Sequence, residues 1–176
     1  MIKKLRGGKG ISILLDVQVV DLLTAILSEH EDWLHTPAIG PDGNVDPAHQ
    51  RIYPRAYLDP TEDEAEAHWQ SHVHADMAAE KLGAVGLMRR ALEAAPNERR
   101  GTKIDISYED LDRWCKVVNE VRLRLGSQLD ISEEEQFLDV GPDHPQWESV
   151  YRYHLMSEFL DMLVTASMKQ SDPRTR

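Results

Sequence analysis

Cysteine is the scarcest resource of this 176-residue chain: there is one, Cys115. A lone thiol cannot close an internal disulfide, and it removes the commonest metal and redox frameworks; it fits a reducing, cytoplasmic setting. Long apolar runs are missing as well. The most apolar stretch, residues 11–27, is broken by Asp16, Gln18 and Asp21, far short of the ~18 uninterrupted residues that span a bilayer. That excludes a membrane span and disfavours a signal peptide. Also lacking are a Gly-x-Ser-x-Gly elbow, a Gly-x-x-x-x-Gly-Lys-Ser/Thr phosphate loop and a Gly-x-Gly-x-x-Gly turn after a strand. The run Gly7-Gly8-Lys9-Gly10 has the spacing of none of them. No nucleophile arrangement follows from the sequence, so a noncatalytic protein without a cofactor is expected.

What the chain does have is acid. Asp and Glu number 31 against 20 Lys and Arg, a formal charge of −11 with the eight His neutral. A hydrophobic content of 41% over this length suffices for one core. The expectation is a single globular helical domain over residues 1–170 with an N-terminal β-hairpin, and a disordered tail at 171–176.

The apolar pattern predicts mostly α structure with minor β: four or five helices packed with a small β-hairpin or short sheet. Residues 1–5 and Ile11 to Leu15 flank a glycine-rich turn and read as the hairpin. Asp16 stands where an N-cap belongs, and Val19, Leu22, Leu23, Ile26, Leu27 and Trp33 trace the face of a first long helix. Residues 36–58, with Pro37, Pro41, Pro47 and Pro54, read as a long loop, most mobile near 40–44. The pairs Ile52-Tyr53 and Tyr57-Leu58 tack its second half to the core. Asp59-Pro60-Thr61 opens a helix whose first turns carry Glu62, Asp63, Glu64 and Glu66 near the positive dipole end. Trp69, Val73, Met77, Leu82, Val85, Met88 and Leu92 continue it to about Ala95, as one helix or as two divided near residues 78–81. Gly83 and Gly86 inside it point to close approach of another helix.

Beyond the polar linker 97–101, Lys103 to Ile106 alternates as a strand, and Ser107 with Asp110 resembles a capping box. The helix that follows should bury Leu111, Trp114, Cys115, Val118, either Val121 or Arg122, and Leu125, with Gly126 as its C′ residue. A short helix over residues 130–137 and a last helix opened by Pro145 complete the pattern. That last helix carries Trp147, Val150, Tyr151, Leu155, Phe159, Leu163 and Ala166. Residues 11–27 and 103–118 both run strand, cap, amphipathic helix. Pairing of the two strands, joined by the first, would give a small sheet beneath the helices.

Several residues invite a functional reading. His68, His72 and Asp76 fall four apart on one helix face, a spacing at which two imidazoles could share a metal. The His-Glu-x-x-His order of a zinc site is missing, and a solvated polar face is the simpler account. Cys115 could serve as a redox sensor, but its helical phase puts it beside core residues. Lys3, Lys4, Arg6 and Lys9 make the N-terminus basic, whereas residues 59–80 hold seven acids and no Lys or Arg. The basic hairpin could touch phosphates, yet a chain at −11 is repelled by DNA at long range, so autonomous DNA binding is expected to be weak. Arg122, next to the apolar stripe, reads as a polar clamp between helices or a partner contact.

The start into Ile13-Leu14-Leu15-Asp16, the Tyr53-Pro54-Arg55-Ala56-Tyr57 segment and the run from Asn119 to Gly126 together resemble the actinobacterial domain-of-unknown-function family 2017. The last run is similar to that family's Asn-Asp-Leu-Arg-Leu-x-Leu-Gly pattern. The resemblance spans roughly Lys3 to Ser167 and implies a cytoplasmic regulatory protein. Some relatives are described as oxidative-stress transcription regulators, and their genes often neighbour the Clp protease adaptor. A thiol switch built on two cysteines does not carry over to a chain with Cys115 alone. The reading that results is regulation through protein contacts, with a sigma factor, RNA polymerase or Clp proteolysis component as partner, the chain itself being a monomer or a homodimer. Rival readings are DNA binding through the basic hairpin and a metal-dependent activity at His68 and His72.

Overall fold

The computed structural model describes residues 2–5, 9–39, 44–131 and 140–171. Two strands come first, β1 (Ile2–Lys4) and β2 (Gly10–Leu15), and then the helix α1 (Val17–Leu34). A short helix α2 (Pro47–Ile52) and a 3-10 turn (Pro60–Glu62) lead into the long helix α3 (Asp63–Glu93). Strands β3 (Asn97–Glu98) and β4 (Gly101–Ser107) precede α4 (Tyr108–Gln128), and α5 (Trp147–Ser171) ends the described chain. The architecture is mostly helical with one small antiparallel sheet, ordered β1-β2-β4-β3.

The sheet owes its register to isoleucines. Ile11 pairs with Ile106 and Ile13 with Ile104, and all four are buried. A slip of one residue would turn every one of them to the opposite face. Two glycines make the ends of this pairing possible. A Cβ on Gly10 would sit 2.2 Å from the Ile106 carbonyl oxygen, and one on Gly101, whose φ is +130°, would sit 2.2 Å from that of Leu15. The two strand–cap–helix units therefore do pair through their strands. Residues 97–101, read from sequence as a polar linker, also contribute β3, because Glu98 and Gly101 close a two-residue turn.

Against the inner face of the sheet lies α4, which contacts β2, β4 and each of the other four α-helices among the described residues. Its start keeps the N-cap half of the capping box expected from sequence: Ser107 Oγ accepts from Asp110 N at 3.1 Å and donates to Asp110 Oδ2 at 2.7 Å. Trp114, Val117, Val118 and Val121 are buried along it. Its end differs from expectation. Gly126 is not the C′ residue but lies inside the helix, where a Cβ would meet the Tyr153 ring of α5 at 3.2 Å. The helix stops two residues later in a Schellman arrangement, with Asp130 left-handed at φ 55°. Asp130 N donates to Ser127 O, and Ile131 N to Gly126 O at 2.9 Å.

Other expectations need correction. The supposed loop over 36–58 contains α2: Asp46 Oδ1 accepts from Ala48 N at 2.8 Å, and Pro47 sits at the helix start, where its missing N–H costs nothing. Ile52 and Tyr53 are buried as expected, but Tyr57 and Leu58 are exposed. In their place Glu66 holds this segment, its Oε2 accepting from Ala56 N at 3.0 Å and Tyr57 N at 2.9 Å. Helix α3 runs unbroken through residues 78–81. No helix closes on Gly83, which faces open space, and Gly86 meets only its own helix's Arg90. Helix α5 begins at Trp147, two residues past Pro145. It buries Val150, Phe159, Leu163 and Ala166 as expected and Met156 besides, and leaves Tyr151 exposed. The short helix proposed over 130–137, the mobile segment near 40–44 and the tail beyond 171 fall mostly or wholly outside the described residues. Within them, no helix is long and apolar enough to cross a membrane.

Two substitutions test this geometry by chemical denaturation. Asp130→Gly relieves a left-handed non-glycine residue and should stabilise by about 0.5–1 kcal/mol. Gly101→Ala places a methyl group against a carbonyl at a positive φ and should cost about 2 kcal/mol or more.

Candidate functional site

The least expected feature of the interior is polar. His30 continues the buried face of α1 defined by Leu23, Ile26, Leu27 and Leu34, and is 0% exposed. His49 is buried on α2 and Tyr53 just after it. Asp46 brings the two helices together, since its Oδ1 caps α2 while its Oδ2 accepts from Trp33 Nε1 at 2.9 Å. A file of five rings results: His30, Trp33, His49, Tyr53 and His74. Successive centroids lie 5.6, 4.3, 5.6 and 4.6 Å apart.

Charged groups of α3 and α4 stand beside this file. Lys81 lies over the Tyr53 ring, 5.3 Å from its centroid, and hydrogen-bonds Glu120 Oε1. The other carboxylate oxygen of Glu120 is 4.0 Å from His30 Nε2, within electrostatic range but too far for a hydrogen bond. One helical turn on, Arg124 is only 6% exposed, and its Nε and Nη2 have no hydrogen-bond partner. Neither ring nitrogen of His30 or His49 has one, nor has the Tyr53 hydroxyl. Buried polar atoms left without partners are costly and seldom accumulate in one place.

Burial dominates the ionisation of these groups. It pushes the His30 imidazole below its ordinary value, against the pull of Glu120, and Arg124 and Lys81 push the same way as burial. His49 is lowered by burial too, with Asp46 opposing and His74 reinforcing. Burial and the Glu120 charge push the Tyr53 hydroxyl up to about 12. Burial alone would raise Glu120, but His30 and Lys81 together outweigh it and hold the carboxyl below the usual glutamate range. Near neutral pH His30, His49 and Tyr53 are therefore neutral beside an ionised Glu120.

Lys81 and Glu120 also face outward. They form the inner wall of a groove of about 590 Å³ between α3 and α4. Val117, Leu87, Ala84 and Met77, buried or half-buried, make an apolar floor, and exposed Glu80, Glu109 and Asp112 stand on the rim. Lys116 pairs with Asp112 at 3.0 Å and Arg113 with Asp110 at 3.0 Å, whereas Glu80 and Glu109 make no ion pair among the described residues. The open side of Gly83 lies along this groove.

The residues singled out from sequence lie elsewhere. His68 and His72 lie side by side on an exposed face of α3, their rings tilted by 35° with centroids 4.3 Å apart, and His72 Nδ1 is 2.8 Å from the His68 carbonyl oxygen. Asp76 is exposed. Among the described residues no group of three or more His, Cys, Asp or Glu is placed to hold a metal ion. Cys115 is half-buried against the core, and burial, followed by Asp112, raises its thiol. Lys3 and Lys4 sit on the edge strand β1, Lys9 is exposed, and Arg6 lies outside the described residues. Arg122 packs over the Tyr153 ring at 5.8 Å, joining α4 to α5. The buried guanidinium of this segment is Arg124, not Arg122. Its signal was present in the spacing: Trp114, Val117, Val121 and Arg124 follow at steps of three, four and three.

The sign of the pH dependence follows from the lowered histidines. Native His30 and His49 are neutral, so their contribution is complete above the unfolded value of 6.5. It is lost as pH falls through 6.5 toward the lower folded values. Urea denaturation should give a lower midpoint at pH 5.5 than at pH 7.5. His30→Leu, an apolar side chain of similar volume, should shrink that difference. At pH 7.5 it should be neutral or stabilising by up to about 2 kcal/mol, because two unpartnered nitrogens are removed.

No curated protein and no solved structure gives a match to this chain. The family model that does match, described as domain of unknown function (DUF2017), covers residues 1–167. Matched over nearly its whole length, the chain belongs to that family.

Proposed function

We propose that the protein is a noncatalytic regulator that works by binding another protein, and that the groove between α3 and α4 receives a segment of that partner. The observation that carries this reading is the groove's composition: an apolar floor of Met77, Ala84, Leu87 and Val117 under a rim where exposed Glu80 and Glu109 make no ion pair among the described residues, Glu80 acting on Lys116 only at longer range. Two long helices with an apolar trough between them suit an amphipathic helix laid along the groove. Glu80 and Glu109, on a chain of −11, favour a basic segment and speed its encounter. The partner class follows the family resemblance: a sigma factor or RNA polymerase of the stress-response transcription machinery, or a component of Clp proteolysis.

Gly83 supplies the test, because it lines the groove and a Cβ added there meets no atom within 4 Å. Gly83→Ala should stabilise by about 1 kcal/mol through helix propensity. Gly83→Trp should keep the fold and fill the groove. Affinity capture with mass spectrometry should recover a polymerase, sigma or Clp component with the wild type and at least tenfold less with Gly83→Trp. Equal recovery by the filled variant, or recovery of none of these components by the wild type, would overturn the proposal.

A further inference from the structure

The groove and the buried ring file share one wall. Glu120 offers one carboxylate oxygen to Lys81 in the groove and turns the other toward His30 at 4.0 Å in the interior. Lys81 and Glu120 side chains are 15% and 16% exposed, so the pair is poorly screened by solvent on its inner side. His30 has no hydrogen-bond partner of its own. We propose that the groove is proton-gated: on acidification His30 takes up a proton, claims Glu120, and leaves Lys81 as a free cation in the groove wall. This rests on the groove being the binding site, and it names how that site is regulated.

The charge balance is direct. With His30 neutral, the wall holds Lys81⁺ and Glu120⁻ and sums to zero. A proton from solvent on Nε2 of His30 brings the trio to +1, and the single negative charge of Glu120, facing Lys81 through Oε1 and His30 through Oε2, no longer neutralises both cations. His30 has first claim in a desolvated interior, where a charge without a counter-ion is hardest to keep. Lys81, nearer to solvent, can be hydrated instead. A positive wall repels the basic segment that the acidic rim attracts, so acid releases the partner.

The groups that face His30 from each packed element support a switch at this position. Helix α3 contributes Lys81 and α4 contributes Glu120 and Arg124. Asp46 and His49, from the α2 side, are separated from it by the Trp33 ring. Arg124 is a fixed cation with two unpartnered nitrogens, which opposes a second positive charge nearby. Glu120 is the one carboxylate among His30's electrostatic neighbours, so the response to protonation falls on it.

The experiment reads the wall with no partner present. Histidine ¹⁵N shifts and the Lys81 Cε and Val117 methyl signals are followed by NMR from pH 8 to pH 5. In the wild type, Lys81 and Val117 should move with the same midpoint as His30, below 6.5. In His30→Leu the groove signals should stay flat over that range. In Glu120→Gln, His30 should titrate still lower and Lys81 should no longer follow it. Groove signals that move equally in His30→Leu, or that stay flat in the wild type while His30 titrates, would overturn the gate. Should His30→Leu not fold, the wild-type and Glu120→Gln titrations decide the matter alone. A separate arm titrates a synthetic basic amphipathic helical peptide. The peptide's affinity should fall as pH drops through the His30 midpoint, by roughly tenfold once His30 is fully protonated, the scale of one unit charge acting over about 10 Å at an effective dielectric of about 20. Failure of the peptide to bind at either pH would contradict the docking reading while leaving the proton coupling intact.

Discussion

A single carboxylate, that of Glu120, joins the interior of this protein to its surface. It is the acid within electrostatic reach of buried His30 and the hydrogen-bond acceptor of Lys81, and the remaining polar architecture is arranged around it. Removing two charges from water costs several kcal/mol per ion, and mutual attraction offsets that only with good geometry. Here the pair is kept at the boundary, half facing the groove, where Lys81 retains contact with solvent and also rests on the Tyr53 ring. The same placement lets a change on either side of the wall be felt on the other.

Helix α4 is the element that makes this arrangement possible. It contacts the sheet through β2 and β4, sets Trp114 against Phe159 of α5 with ring centroids 6.4 Å apart, carries Val117 and Glu120 on the groove it shares with α3, and brings Glu120 and Arg124 near His30 of α1. Cross-helix ion pairs hold the surrounding elements in place: Arg89 to Glu31 joins α3 to α1, and Arg152 to Glu29 joins α5 to α1. Arg51 of α2 reaches Ser127 Oγ of α4 at 3.0 Å. These contacts are partly exposed and individually weak; their effect is to fix the helix positions so that the ring file stays in line. Stability comes from the apolar core, which runs without a break from the isoleucines of the sheet to Met156, Phe159 and Leu163 of α5.

Much of the fold was legible in the sequence because it rests on local signals. The 3.6-residue period gave α1, α3, α4 and α5, the alternation around Ile104 gave β4, and Ser107 with Asp110 gave a cap that the structure reproduces. Helix α2 was missed since six residues are too few to show a period, although Asp46-Pro47 is a cap followed by an N1 proline. The candidate site was almost illegible. His30 and Arg124 occupy core positions by spacing, but a reading that assigns polar residues to the surface passes over them. Arg122 drew attention through its neighbours, while the guanidinium two residues on is the buried one. Gly83 looked like a packing glycine, a reading that only the position of α4 could correct. The rings of the file come from three segments, His30 and Trp33 from α1, His49 and Tyr53 from α2 and its C-cap, and His74 from α3, and tertiary structure alone aligns them.

The central claim is that Glu120 is ionised in the folded protein and divided between Lys81 and His30. The most direct measurement is the ¹³C shift of its side-chain carboxyl from pH 3 to pH 8. The account predicts a main titration below 4.5, the ordinary value, and a second, smaller inflection where His30 gains its proton. A single titration at or above 4.5, with no response in the histidine range, would contradict it.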